Sequence, residues 1–228
     1  AFEQICMGTI ENDGFNQLVL CAGLNVRQAN LFRAIYVYLK QINFGYSQNF
    51  ITHTLTNHVE LSRALFALFE AKFDINNKEH TKAQEPINKD IIERLESVSS
   101  LDEDRVISGY LEVIEAMVRT NYYQNNEDYL CFKIQSKKIS FLPKPAPLYE
   151  IFMYSARVQG VHLRGGKIAR GGLRWSDRSE DFRTEVLGLV KAQQVKNTVI
   201  VPVGSKGGFV PRSLPAERDK MLAEGVAC

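Results

Sequence analysis

Hydrophobic positions along the chain follow two rhythms, helical spacing in the first half and something closer to alternation in the second. From Asn25, the series Leu31, Ile35, Tyr38 and Ile42 recurs every three or four residues and predicts a helix with one apolar face. Ser47 has the place of a cap for a second helix, through Phe50, Ile51 and Leu55. Leu61, Leu65, Leu68 and Phe69 predict a third, from about Val59 to Phe73. Residues 74–85 (DINNKEHTKAQE) are polar and without period, which predicts a loop ending at Pro86, a good first helical position. Ser100 and Glu103 read as a capping box that opens a helix through Ile107, Leu111, Ile114 and Val118.

After Asn121 the pattern shifts. Residues 129–134, 149–154 and 161–164 are rich in β-formers and predict strands, with a turn at Lys144–Pro147. Helical spacing returns from Glu180 to Val195 through Phe182, Val186, Leu189 and Val190, and residues 198–203 (TVIVPV) predict a buried strand. Residues 1–121 therefore form a helical region. Residues 122–228 read as an α+β or α/β unit, a mixed sheet with flanking helices and its function at glycine-rich joints.

Composition narrows the classes little. With 228 residues, 45% hydrophobic and 24% charged, the chain can bury a sizeable core. Its net charge of +2 and the absence of an aromatic-interleaved basic stripe argue against nucleic acid. No run approaches the roughly 20 apolar residues of a membrane helix. Cys6, Cys21, Cys131 and Cys228 are far apart and show no metal-ligand spacing, which suits free thiols in a reducing cytoplasm. The start at Ala1 and the end at Cys228 suggest a partial sequence.

The candidate chemistry lies in two cationic, glycine-rich segments, Arg164–Arg174 (RGGKIARGGLR) and Gly204–Gly208 (GSKGG), expected as loops bracketing a helix and a strand. Glycines let a ligand approach the backbone, and cations beside them suit a carboxylate or phosphate. Lys206, flanked by glycines at a strand end, is placed for an altered pKa. The second segment lacks the spacing of a phosphate-binding P-loop, and no G-x-G-x-x-G follows a strand. From the residues alone, an enzyme using these segments on a carboxylate or phosphate and a non-catalytic helical scaffold both remain open.

The wording of these segments adds a resemblance. Residues 169–175 (ARGGLRW), a helix ending in Gln193–Lys196, and residues 202–208 (PVGSKGG) resemble the substrate half of glutamate dehydrogenases. Residues 171–178 (GGLRWSDR) and 190–197 (VKAQQVKN) are similar to the large, NAD-specific bacterial branch, as are Glu11–Asn16 and Tyr46–Gln48 in the helical half. The resemblance implies NAD-dependent oxidative deamination of L-glutamate to 2-oxoglutarate and ammonium, in a cytoplasmic homo-oligomer without a metal. It makes residues 122–228 the start of the catalytic, substrate-binding domain, with NAD held by a domain downstream. Matched position by position, it makes Lys206 the catalytic lysine and Arg170, Gly171 and Gly172 the binding segment for one substrate carboxylate. Gln193 and Lys196 bind the other. A gapless alignment puts Gln194 in the place of Lys196, and Lys191 is the second-choice cation.

Overall fold

The computed structural model describes residues 2–77, 79–124, 128–167, 170–196 and 204–228, and of Lys196 the backbone only. Seven helices come first: α1 (Phe2–Cys6), α2 (Gln17–Cys21), α3 (Val26–Gln41), α4 (Gln48–Asn57), α5 (Val59–Phe73), α6 (His80–Leu95) and α7 (Leu101–Ala116). Strands β1 (Met117–Thr120), β2 (Leu130–Ile134), β3 (Tyr149–Tyr154), β4 (Val158–Arg164) and β5 (Leu173–Trp175) follow, then α8 (Phe182–Lys196), β6 (Ser205–Pro211) and α9 (Arg218–Ala227). The expected class holds: helices precede a mixed sheet with flanking helices.

Local chemistry explains the helix starts. At α3, Gln28 N donates to Asn25 Oδ1 at 2.9 Å while Asn25 N donates to Gln28 Oε1 at 2.7 Å, a full capping box. Ser47 Oγ accepts from Phe50 N at 3.2 Å and opens α4. The box expected at α7 forms only half: Glu103 N donates to Ser100 Oγ at 3.4 Å, but the Glu103 carboxylate pairs with His58 Nε2 at 3.1 Å instead of reaching back.

Three expectations fail. Residues 80–85 are helical, so Pro86 lies inside α6 and not at its start. His80 Nδ1 at 3.1 Å and Asn77 Nδ2 at 3.0 Å both contact the carbonyl of Ala71, fixing the α5–α6 turn. Helix α7 stops at Ala116, and the chain enters β1 directly at Met117, earlier than Val118. The segments expected as glycine loops also contain strands, β5 and β6. The strand expected at 198–203 lies outside the described residues.

Among the described residues, six strands form one sheet in the order β1-β2-β3-β4-β6-β5, in which β5 and β6 pair parallel and the other neighbours antiparallel. Along β2, β3 and β4, alternate residues Phe132, Ile134, Phe152, Tyr154 and Leu163 are almost fully buried in a core continuous with that of α3, α5 and α7. Tyr38 of α3 meets Phe152 edge-on at 5.4 Å.

Polar braces tie the layers together. Arg183 in the first turn of α8 makes a bidentate pair with Glu150 of β3, at 2.8 and 2.5 Å, both side chains essentially inaccessible to water. Gln41 of α3 accepts from Arg183 N at 3.2 Å and donates to the carbonyl of Ser179 at 2.9 Å. Near the other end of β3, Glu11 pairs with Arg212 and accepts from Tyr154 Oη at 2.7 Å. Asp13 holds the buried Arg33 of α3 at 2.6 and 2.7 Å.

Candidate functional site

The residues expected to bind substrate sit on elements that converge at the start of β6. Ladder hydrogen bonding between β5 and β6 extends upstream of β5: Ser205 N donates to Arg170 O at 3.1 Å, and Gly207 N donates to Gly172 O, also at 3.1 Å. Gly165 N donates to Gly204 O at 3.2 Å, so both glycine segments face each other as backbone. Gly171 makes this possible, because a β-carbon there would stand 1.5 Å from Ser205 O.

Helix α8 presses on the same place. Gln193 Nε2 donates to Arg170 O at 3.4 Å, and Gln193 Cδ lies 2.2 Å from where a Gly204 β-carbon would stand. Gln193 Oε1 is buried with no hydrogen-bond partner among the described residues. Arg174 Nε pairs with Glu185 Oε1 at 3.1 Å, and Ser176 Oγ donates to Glu185 Oε2 at 2.6 Å, clamping β5 to α8. Sequence reasoning missed Glu185, which nothing in the sequence sets apart from the nearer acids Asp177, Glu180 and Asp181.

Lys206 is half-buried and lies in register with Leu163 of β4. Alternation puts Lys206 on the sheet face covered by α8, where Gly208 abuts Val186. Arg170, Gly171 and Gly172 are exposed, as is Lys191, while Gln194 is half-buried. Lys196 is the last residue of α8, and its side chain lies outside the described residues. Arg170 and Lys206 thus stand on adjoining backbone segments with the Gln193 amide against both, a set suited to an anionic ligand. Among the described residues no three His, Cys, Asp or Glu side chains gather as a metal site, and no helix is long and apolar enough to cross a membrane.

Comparison with known proteins bears on the same residues. A family model described as bacterial NAD-glutamate dehydrogenase, catalytic domain, matches residues 90–228, and one described as glutamate dehydrogenase, helical motif 3, matches residues 10–75. The NAD-specific glutamate dehydrogenases of Halomonas elongata and Pseudomonas aeruginosa are each 52% identical to this chain, over 235 and 239 residues. That of Mycobacterium tuberculosis is 47% identical over 247 residues. Each match covers 100% of this chain and 15% of the relative, so the chain spans a small part of their length.

Proposed function

Since the chain belongs to the bacterial NAD-glutamate dehydrogenase family, we propose that it carries the substrate-binding, catalytic-lysine half of an enzyme that oxidatively deaminates L-glutamate to 2-oxoglutarate and ammonium. The observation that carries this is the convergence of Arg170, Gln193 and Lys206 through the hydrogen bonds of Arg170 O to Ser205 N and Gln193 Nε2.

The substrate has two carboxylates, and holding its α-carbon fixed takes two anchors. Arg170 supplies a planar, permanently charged fork for one. Gln193 and Lys196 receive the other, so α8 sets the distance between the anchors. Lys206, on the strand between them, activates the water that attacks the iminium carbon and stabilises charge developing there.

NAD, named in the relatives, is the hydride acceptor of the full-length enzyme. The described residues do not fit it, because their glycine-rich segments run into strands β5 and β6 and not into a helix N-terminus. We assign the cofactor to a domain downstream and place the working enzyme in the cytoplasm as a homo-oligomer. Residues 122–228 are then the start of the catalytic domain, and residues 1–121 the helical region that supports it.

Lys206→Ala in the full-length enzyme tests the assignment. Turnover is expected to fall by about 10²–10⁴-fold with the protein still folded, the usual contribution of a general acid–base group. Activity within about tenfold of wild type takes the lysine out of the mechanism. Arg170→Ala and Lys196→Ala should each raise KM for glutamate. If Gln194→Ala raises KM and Lys196→Ala does not, Gln194 is the anchor.

A further inference from the structure

Helices α3 and α8 cover the sheet face that carries Lys206. On the opposite face, strand register sets Arg119, Lys133, Ile151 and His162 in one row across β1–β4, with Tyr149 and Arg164 paired in the next. The cations that the described strands place on this face are Arg119, Lys133 and Arg164, with the His162 imidazole among them and no acid.

Their contacts are incomplete. Lys133 Nζ stands 4.3 Å from the centroid of the Tyr149 ring. Arg164 donates through one terminal nitrogen to Lys167 O at 2.8 Å, yet its Nε is buried without a partner, and so is Nδ1 of His162. An arginine Nε–H is always a donor, and a buried donor without an acceptor forfeits its hydration for nothing. Burial and Arg164 lower the pKa of His162, and burial with Arg119 and Arg164 lowers that of Lys133. Among the described strand residues of this face, the cationic charge and the empty Arg164 donor alike call for a negative group, and the His162 ring can turn a donor to it in one tautomer.

We propose that this face holds an oxyanion, a phosphate or carboxylate group, at Arg164, His162 and Lys133 beside the Tyr149 ring. It is distinct from the substrate anchors, because it lies on the reverse of the strand carrying Lys206. Arg164 is in register with Ser205, and the His162 ring lies over Gly207, Cδ2 being 3.1 Å from where its β-carbon would stand. The oxyanion comes either from a free anion or from an Asp or Glu side chain presented elsewhere in the full-length assembly.

Hydrogen–deuterium exchange on the full-length enzyme, with inorganic phosphate or with chloride at equal ionic strength, tests the free source. Phosphate is expected to slow exchange in peptides covering residues 130–134 and 158–164, and Lys133→Gln and Arg164→Gln to abolish that protection. A zero-length carbodiimide tests the side-chain source. It joins Lys133 Nζ to a neighbouring carboxylate as an amide, the carbodiimide taking up the water lost, and mass spectrometry identifies the partner. Protection or a Lys133 cross-link supports the site and tells the sources apart. Protection that survives in Lys133→Gln overturns it, as does the absence of both signals. Lys133 is half-buried and its ammonium has no acid partner among the described residues of this face, so its variant keeps the test open should Arg164→Gln fail to fold.

Discussion

At single residues the fold makes demands of two kinds, of space and of charge. Gly171 answers the first. A methyl group there would stand 1.5 Å from Ser205 O, whereas one at Gly172 meets nothing within 4 Å. Gly171→Ala should therefore force the glycine segments apart and cost about 1–3 kcal/mol, with Gly172→Ala near wild type in thermal unfolding. Equal melting of the two variants refutes the close approach. Lys72 of α5 answers the second. It donates to the carbonyls of Ile114 and Glu115 at 3.0 and 2.7 Å, satisfying the end of α7. Burial, assisted by Lys138 and opposed by Glu115, lowers its pKa from 10.5 to about 8. Between those values the unfolded chain holds the extra proton, so this group makes stability rise with pH from about 8 to 10.5. Denaturant titrations over that range should show a shallower rise for Lys72→Met, and matching slopes would remove Lys72 as the source.

Among elements, legibility in the sequence followed burial. Helix α4 and strands β2 and β3 announce themselves because each buries one face and periodicity reports it. Helix α3, expected to have one apolar face, is instead buried on all sides from Leu31 to Leu39 and reads as a helix through its length and apolar content. Helix α6 opens with two turns that are exposed or half-buried, so no apolar stripe marks them, and the polar residues read as loop. Lys82, four residues before Pro86, is exposed, which leaves its unpaired carbonyl to water. At the α7–β1 junction the spacing ran on to Val118, but Met117 is the buried residue there, as the first of the strand, and Val118 is exposed. Side-chain pairs distant in sequence left no local trace. Arg183 and Glu150 each look like surface charges, yet they pair out of water and anchor α8, hence Gln193, to the sheet. Glu150→Gln should cost about 3–5 kcal/mol, since it strands a buried guanidinium, whereas Glu150→Leu with Arg183→Met should cost less than either single change. A double-mutant cycle by chemical denaturation measures this, and additive losses would mean that the pair is not coupled.

On the scale of the whole molecule, the glycine-rich segments were legible as the chemical centre because cations and glycines cluster there in the sequence. What sequence could not supply was their form. Pairing of Arg170–Gly172 with Ser205–Gly207 depends on β4 and α8 being in place, and no local pattern encodes it. That form bears directly on the cofactor. Dinucleotides are usually held where a strand passes through a glycine fingerprint into a helix N-terminus, which attracts the pyrophosphate. Here the segment around Gly171 enters β5 and Gly204 enters β6. Asp177, Glu180 and Asp181 precede α8, where Arg178 is paired with Asp181. Glu217 and Asp219 stand at the start of α9, where Lys220 is paired with Glu217, so neither helix start presents glycine backbone together with free cations to a pyrophosphate. The 228-residue chain by itself should therefore not bind NADH. Its core runs without a break from the helices into the sheet, so a folded preparation should first show one cooperative melting transition. Titration calorimetry of that preparation with NADH is expected to give no saturable heat, while the full-length enzyme does. Saturable micromolar binding to the chain would place a cofactor site within these residues and overturn the assignment of NAD to a separate domain.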